Sequence, residues 1–409
     1  MPLFPPLCNC NFSLGNLIGK IRFFRMSTIV LQGITWGHSR GYTPLIAFSQ
    51  RFSELHPEVE IVWKKRSLQE FADFPLEKLT RQYDLLIIDH PWVGTAAAKD
   101  CVLPLDKHLP REYLDNQLQN SVGASHLSYA YENHQWALAI DASTPAASFR
   151  NDLFEQNNAE LPQDWNALLD LAKKGKVAAP AIPIDLLMNF YMFCIAHGSE
   201  PFANGEEVID QETGLLALAT MRQFYSLLDE RMFLSNPIAV AEMMTTTDEF
   251  WYCPFAYAYS NYSRIGYASK LLHYTQPVKF NGANLRSTIG GTGISVSAYT
   301  AHKEWALKFT EEIVSEECQR TFYVEHGGQP GHRAAWIDEQ ANILCNQFFK
   351  NLLPVMDNGY VRPRYQGYLQ FQDLAGDPLH YFLQYGGNEK NVLDKINHIY
   401  RQSIQHELV

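Results

Sequence analysis

The stretch Thr28–Ile88 constrains the fold most tightly, because extended and helical patterns alternate through it without a break. Thr28–Gly33 (TIVLQG) is β-branched, apolar and closed by a glycine, which is a strand pattern. The loop Thr35–Tyr42 (TWGHSRGY) follows. Pro44 then predicts a helix start, with Leu45, Ile46, Phe48 and Phe52 as the apolar face and His56-Pro57 as the end. Val59–Trp63 (VEIVW) alternates with the period of two expected of a second strand. Ser67–Asp73 and Pro75–Gln82 read as helical. Tyr83–Ile88 (YDLLII) is the apolar run of a strand buried on both faces of a parallel sheet. This β-α-β-α-β order predicts a doubly wound α/β lobe.

At 409 residues the chain exceeds what one hydrophobic core serves, so more than one domain is expected. Long helices are predicted at about 164–174, 185–197, 213–229, 301–315 and 338–350. No repeat and no low-complexity linker separates them, so a second domain must be joined to the first by strands. Lys+Arg 33 against Asp+Glu 44 gives a net charge of -11, which offers no field to a phosphate backbone; no nucleic-acid partner is expected. No window approaches the roughly 18 consecutive apolar residues of a membrane span. The seven cysteines (Cys8, Cys10, Cys101, Cys194, Cys253, Cys318 and Cys345) are scattered, with no C-x-x-C pair and no metal-ligand spacing. They read as reduced thiols acting as small hydrophobes, and neither a metal nor a cofactor is expected. At the amino terminus Pro2, Pro5 and Pro6 come first and Lys20, Arg22 and Arg25 last, the reverse of a signal peptide's order. The folded protein is expected to open at Met26 (MSTIVLQGITW), with 1–26 an upstream extension outside the fold.

Ligands of open α/β sheets bind where strands end at their carboxyl edge. Three such loops carry polar and aromatic groups that a core does not require: Trp36, His38 and Arg40; Lys64, Lys65 and Arg66; and Asp89, His90 and Trp92. Gln135–Asp141 (QWALAID) is a strand ending in a carboxylate. Cys253–Tyr262, if extended, sets Tyr257, Tyr259 and Asn261 on one face. Ser287–Ser295 (STIGGTGIS) holds Gly290, Gly291 and Gly293 in a turn ahead of the strand Ile294–Val296. It lacks the Walker lysine, so it reads as a loop offering backbone N–H groups rather than as a nucleotide motif.

The segments HPEVEIVWKKRS, RQYDLLIIDHPWVG, HQWALAIDASTPAASFRNDLF, LPQDWNALLDLAK and TIGGTGISVSAYTAHKEWALKFTEEIVSEECQRTFYVEHGGQP, in this order, resemble the extracellular solute-binding proteins of family 1, the sugar-binding components of ABC importers. The resemblance runs over nearly the whole chain from Met26. It implies an α/β, type II periplasmic-binding-protein fold whose two lobes are joined by crossing hinge strands. Lobe 1 would be 27–140 plus 271–315 and lobe 2 141–270 plus 316–409, with QWALAID and Leu272–Val278 as crossing strands. It implies capture of a carbohydrate or related polar small molecule between the lobes by a monomer, delivery to a membrane permease, and a periplasmic or extracellular location. The missing signal pattern leaves the cytoplasm open as well. The expected ligand-binding residues are Trp36, His38, Arg40, Arg66, Asp89, His90, Trp92, Asp141, Tyr257, Tyr259, Asn261, Gly290 and Gly291. His38, Arg40, Lys65, Arg66 and His90 together admit an acidic sugar or other anion. No catalytic residues are expected; an enzyme using Asp89-His90 and Asp141 as acid and base, or a ligand sensor, stands as the alternative reading.

Overall fold

The computed structural model describes residues 28–67 and 76–405. The predicted extension at 1–26, with Cys8 and Cys10, and nearly all of the predicted helix Ser67–Asp73 lie outside the described residues.

The first sheet contains β1 (Ile29–Trp36), β2 (Val59–Arg66), β3 (Leu85–Ile88), β4 (Leu138–Ser143) and β8 (Gly290–Val296), in the order β2-β1-β3-β8-β4. β1 and β2 pair in parallel from Ile29↔Val59 to Trp36↔Arg66, so the chemistry expected of two separate loops stands in register at one sheet end. β3 is buried at every position, as its unbroken apolar run requires. β8 runs antiparallel to both β3 and β4. Against this sheet packs α1 (Ser39–Leu55), through Phe48 and Phe52 on Phe309 of α4 (Lys303–Ile313). The helix begins five residues before Pro44, because the His38 imidazole caps it: Nδ1 accepts from the Arg40 N–H at 3.0 Å. Arg40, Gly41 and Tyr42 are therefore helical, and Pro44 sits inside the helix rather than at its start.

The second sheet has β5 (Pro145–Phe149) between β6 (Tyr252–Tyr257) and β7 (His273–Thr275), all antiparallel. β4 and β5 are separated only by Thr144, so the chain passes straight from one sheet into the other. That is the first crossing, as expected of QWALAID. The segment Leu272–Val278 differs from expectation: His273–Thr275 is an edge strand of the second sheet, and the chain returns to the first only at Gly290. Phe322 likewise packs on Phe48, so the chain just past 315 belongs with the first sheet. A helical layer of α2 (Pro183–Ala196), α3 (Gln211–Tyr225), α5 (Tyr368–Tyr385) and α6 (Glu389–Gln405) covers the second sheet's side of the molecule. α2 is apolar nearly all round and buried from Asp185 to Cys194, the pattern of a helix enclosed by others. The predicted helix 338–350 is two helices, Glu339–Leu344 and Phe348–Asp357, because Asn346 and Gln347 take left-handed φ values of 51° and 62°.

Among the described residues no helix is long and apolar enough to cross a membrane. The five described cysteines are free and buried, and burial pushes each thiol above its ordinary pKa. A raised pKa keeps them as thiols rather than reactive thiolates.

Candidate functional site

A cavity of about 550 Å³ opens between the two sheets. Its first-sheet wall carries Trp36, Arg40, Asp89, Gly290, Gly291 and Thr292. The opposite wall is built from the amino-terminal turn of α2 (Pro183, Ile184, Asp185, Met188), from Asn236 and Pro237, and from Gln372, Asp373 and Asp377 of α5. Tyr257 and Tyr259 close one end, and Arg362 enters from the loop ahead of α5.

Two clamped arginines dominate the polar wall. Arg40 donates through Nε to Asp141 Oδ2 at 2.8 Å and through a terminal nitrogen to Asp141 Oδ1, while its other terminal nitrogen donates to the Ala258 carbonyl at 3.0 Å. The Tyr259 ring lies 4.7 Å from the guanidinium and Trp36 lies 5.7 Å away. Burial lowers the Arg40 pKa, yet Asp141 and the hydrogen bonds to it outweigh this and raise it; burial pushes Asp141 upward. Arg362 donates to both Asp89 oxygens at 2.7 Å and to Gln372 Oε1 at 2.8 Å. Burial works to raise Asp89, but the Arg362 charge and the His90 hydrogen bond hold its carboxyl well below the usual range. His90 is enclosed beneath this pair; burial first and then the Arg362 charge bring its pKa down to about 4, so it is neutral at pH 7. His38, lowered to about 4 by burial and by Arg40, is neutral as well.

The glycines of β8 are shaped by the same wall. A Cβ on Gly290 would lie 2.5 Å from the Tyr257 ring, whose hydroxyl bonds Thr288 Oγ1 at 2.9 Å. Gly291 has φ +97°, and a Cβ there would lie 2.2 Å from the Asp141 carbonyl. Gly290 to Val296 form strand rather than a turn ahead of one, with a register shift between Thr292 and Gly293. The glycines serve close packing of Tyr257 and the hinge strand.

Residues 36–320 match the family described as bacterial extracellular solute-binding protein. The chain belongs to this family. Among solved structures, the maltose-bound MalE3 of T. maritima aligns with a TM-score of 0.78 at 16% identity, over 92% of this chain and 100% of that one. An ABC transporter solute-binding protein from Agrobacterium radiobacter K84 in complex with ribitol aligns at 0.80 and 16%, over 92% and 99%. UgpB from Mycobacterium tuberculosis in complex with glycerophosphocholine aligns at 0.75 and 14%, over 93% and 99%. At such identities the likeness is one of fold: two α/β lobes about a hinge.

In this solute-binding protein the segment Gly327-Gly328-Gln329-Pro330 lies at the hinge. The Gln329 amide donates to the Ala142 carbonyl at 2.7 Å and to that of Ala258 at 3.2 Å, and accepts from the Ser260 N–H at 2.9 Å. Gln329 is fully buried and ties together both strands that leave the sheets.

Seven of the thirteen expected site residues line the cavity: Trp36, Arg40, Asp89, Tyr257, Tyr259, Gly290 and Gly291. The other six stand behind it or away from it. His38 caps α1, Arg66 is buried at the end of β2, and His90 and Trp92 are enclosed in the turn after β3. Asp141 is spent on Arg40. Asn261 sits in the short helix Ser260–Ser263 and donates to Gly327 O at 3.2 Å, because the chain leaves the extended form after Tyr257 and the period-two face ends there. The anion-receiving cluster of His38, Arg40, Lys65, Arg66 and His90 does not assemble: Arg40 is paired, both histidines are neutral, and the Lys65 ammonium lies 4.7 Å from the Tyr42 ring.

Sequence reading missed the whole second wall and Arg362. Two signals were present. Val361-Arg362-Pro363-Arg364 is a charged loop between helices, and Asp185 is a lone carboxylate at the start of the otherwise uncharged run PIDLLMNFYMFCIA.

Proposed function

We propose that the protein captures a carbohydrate or related polar small molecule between its lobes and delivers it to the membrane permease of an ABC-type importer outside the cytoplasm, acting as a monomer. The observation that carries this reading is the cavity itself: the aromatic residues Trp36, Tyr257 and Tyr259 line it together with carboxylates and amides, at an interlobe position. Aromatic faces cover the C–H face of a sugar ring, and carboxylate and amide groups take its hydroxyls. A volume of about 550 Å³ suits a small saccharide. The neighbours bound to maltose and ribitol support a polyhydroxy ligand. Family membership supports the permease and the extracytoplasmic location.

Capture rather than catalysis fits the state of the acids. Asp89 and Asp141, which an acid–base mechanism would employ, are each held by an arginine. Thermal melting against sugars, polyols and their acidic and amino derivatives tests the reading. A ligand at a hundred times its dissociation constant adds about 2.7 kcal/mol to stability. Trp36→Ala is expected to abolish that shift; a panel without a single stabilising member would refute the proposal.

A further inference from the structure

The following inference rests on the cavity being the ligand site, and it concerns the part of the lining that a sugar ring does not use. Ile182, Pro183 and Ile184 stand in a row where α2 begins, all three lining the cavity and all three only partly buried. Met188, one turn further along α2, and Pro237, at the start of the helix Pro237–Thr246, extend this surface. These five side chains donate no hydrogen bond, and the two prolines lack a backbone N–H as well. Asn236, the polar residue beside Pro237, has its Oδ1 taken by the Ala239 N–H at 2.9 Å. Asp185 is 6% exposed, and burial lifts its carboxyl to about 8, so it keeps its proton at pH 7 and adds no charge to this wall.

The charges inside the cavity answer one another: Arg40 is clamped to Asp141 and Arg362 to Asp89. Asp373 and Asp377 stand exposed at the rim. A charged solute would therefore give up its hydration without meeting a free countercharge inside, and an anion would also face two carboxylates on entry. Groups able to bond hydroxyls stand elsewhere in the lining, with Asp89 and Thr292 on the first-sheet wall and Tyr257 at one end.

A hydroxyl pressed against Ile182, Pro183 and Ile184 would lose water and gain no partner, whereas an apolar group there would remove aliphatic surface from water on both sides. A cavity of about 550 Å³ has room for a sugar ring and a substituent. We propose that the solute is an uncharged glycoside whose sugar is held at the first-sheet wall and whose aglycone is an apolar alkyl or aryl group seated on Ile182, Pro183 and Ile184.

Isothermal titration of the full chain tests this with glucose, galactose and mannose, their methyl, butyl and phenyl glycosides in both anomers, their disaccharides, and the matching uronic acids and amino sugars. For one of the sugars, affinity is expected to rise about fourfold for each methylene from methyl to butyl, with a binding heat capacity that becomes more negative along the series. The butyl or phenyl glycoside should bind tighter than the disaccharide and than the acidic and amino forms. Ile184→Ser is expected to shrink the butyl-to-methyl ratio at least fourfold, and Ile343→Ser, exposed and outside the cavity, to preserve it. Free sugars binding as tightly as their glycosides, a charged derivative binding tighter than the neutral parent, or a ratio unchanged in Ile184→Ser would overturn the inference and leave the carbohydrate reading standing. No binding by any member would sink both.

Discussion

Arg40 and Asp141, 101 positions apart in the chain, form a buried two-pronged ion pair at the hinge. The same guanidinium donates to the Ala258 carbonyl, so one side chain joins α1 of the first lobe to both strands that leave the sheets. Trp36 and Tyr259 flank it, so two of the aromatic residues that line the cavity are fixed to the hinge.

Removing either partner strands the other as an uncompensated buried charge. Arg40→Met or Asp141→Leu is expected to cost about 3–5 kcal/mol in chemical denaturation. The double variant should recover part of that loss, with a coupling energy of about 0.5–3 kcal/mol. Simple additivity of the two single losses would show the pair to be energetically idle.

Gln329→Ala leaves two carbonyls and one N–H at the hinge without the amide that joins them. A loss of about 1–3 kcal/mol is expected in thermal melting. Gln329→Glu keeps the shape and removes the donor, so it should also destabilise. Wild-type melting of both variants would deny the amide its hinge role.

Gly291→Ala forces a side chain into a left-handed backbone and against the Asp141 carbonyl. About 1–3 kcal/mol of stability should be lost. Gly290→Ala instead drives the Tyr257 ring away from β8. Its expected signature is a fall in ligand affinity larger than its fall in melting temperature, read by titration and melting of the same preparation.

Burial raises the Asp185 carboxyl from its ordinary 3.8 to about 8. Between these values the native state holds a proton that the unfolded chain has released, so this group's contribution to stability declines as pH rises through that window. Relative to wild type, Asp185→Asn should gain stability steadily from about pH 4 to about pH 8 and hold a constant advantage above that. Melting curves of both proteins across the range measure it, and a pH-independent difference would contradict the shift.

The elements of the first lobe were legible because their patterns are local. YDLLII is buried on both faces, as its composition dictates, and VEIVW alternates burial along β2. The carboxyl ends of β1 and β3 led to Trp36, Arg40 and Asp89, since the topology of a parallel sheet points its strand ends at a ligand. The start of α1 was misplaced because a histidine cap leaves a weaker mark than a proline.

By itself, then, the sequence determined the doubly wound lobe and part of the first cavity wall, because hydrophobic period and strand-end position are properties of neighbouring residues, and its resemblance to the family implied the two-lobe fold. Tertiary structure alone decided which charges remain for a ligand. Asp89 meets Arg362 across 273 positions, and Arg40 meets Asp141 across 101, so Arg40, which looked available, is already neutralised, and so is Arg362, which no pattern marked. Asp185, in a helix that reads as plain core, lines the cavity. Such pairings depend on where chain segments far apart in sequence come to rest, and no local pattern carries that distance.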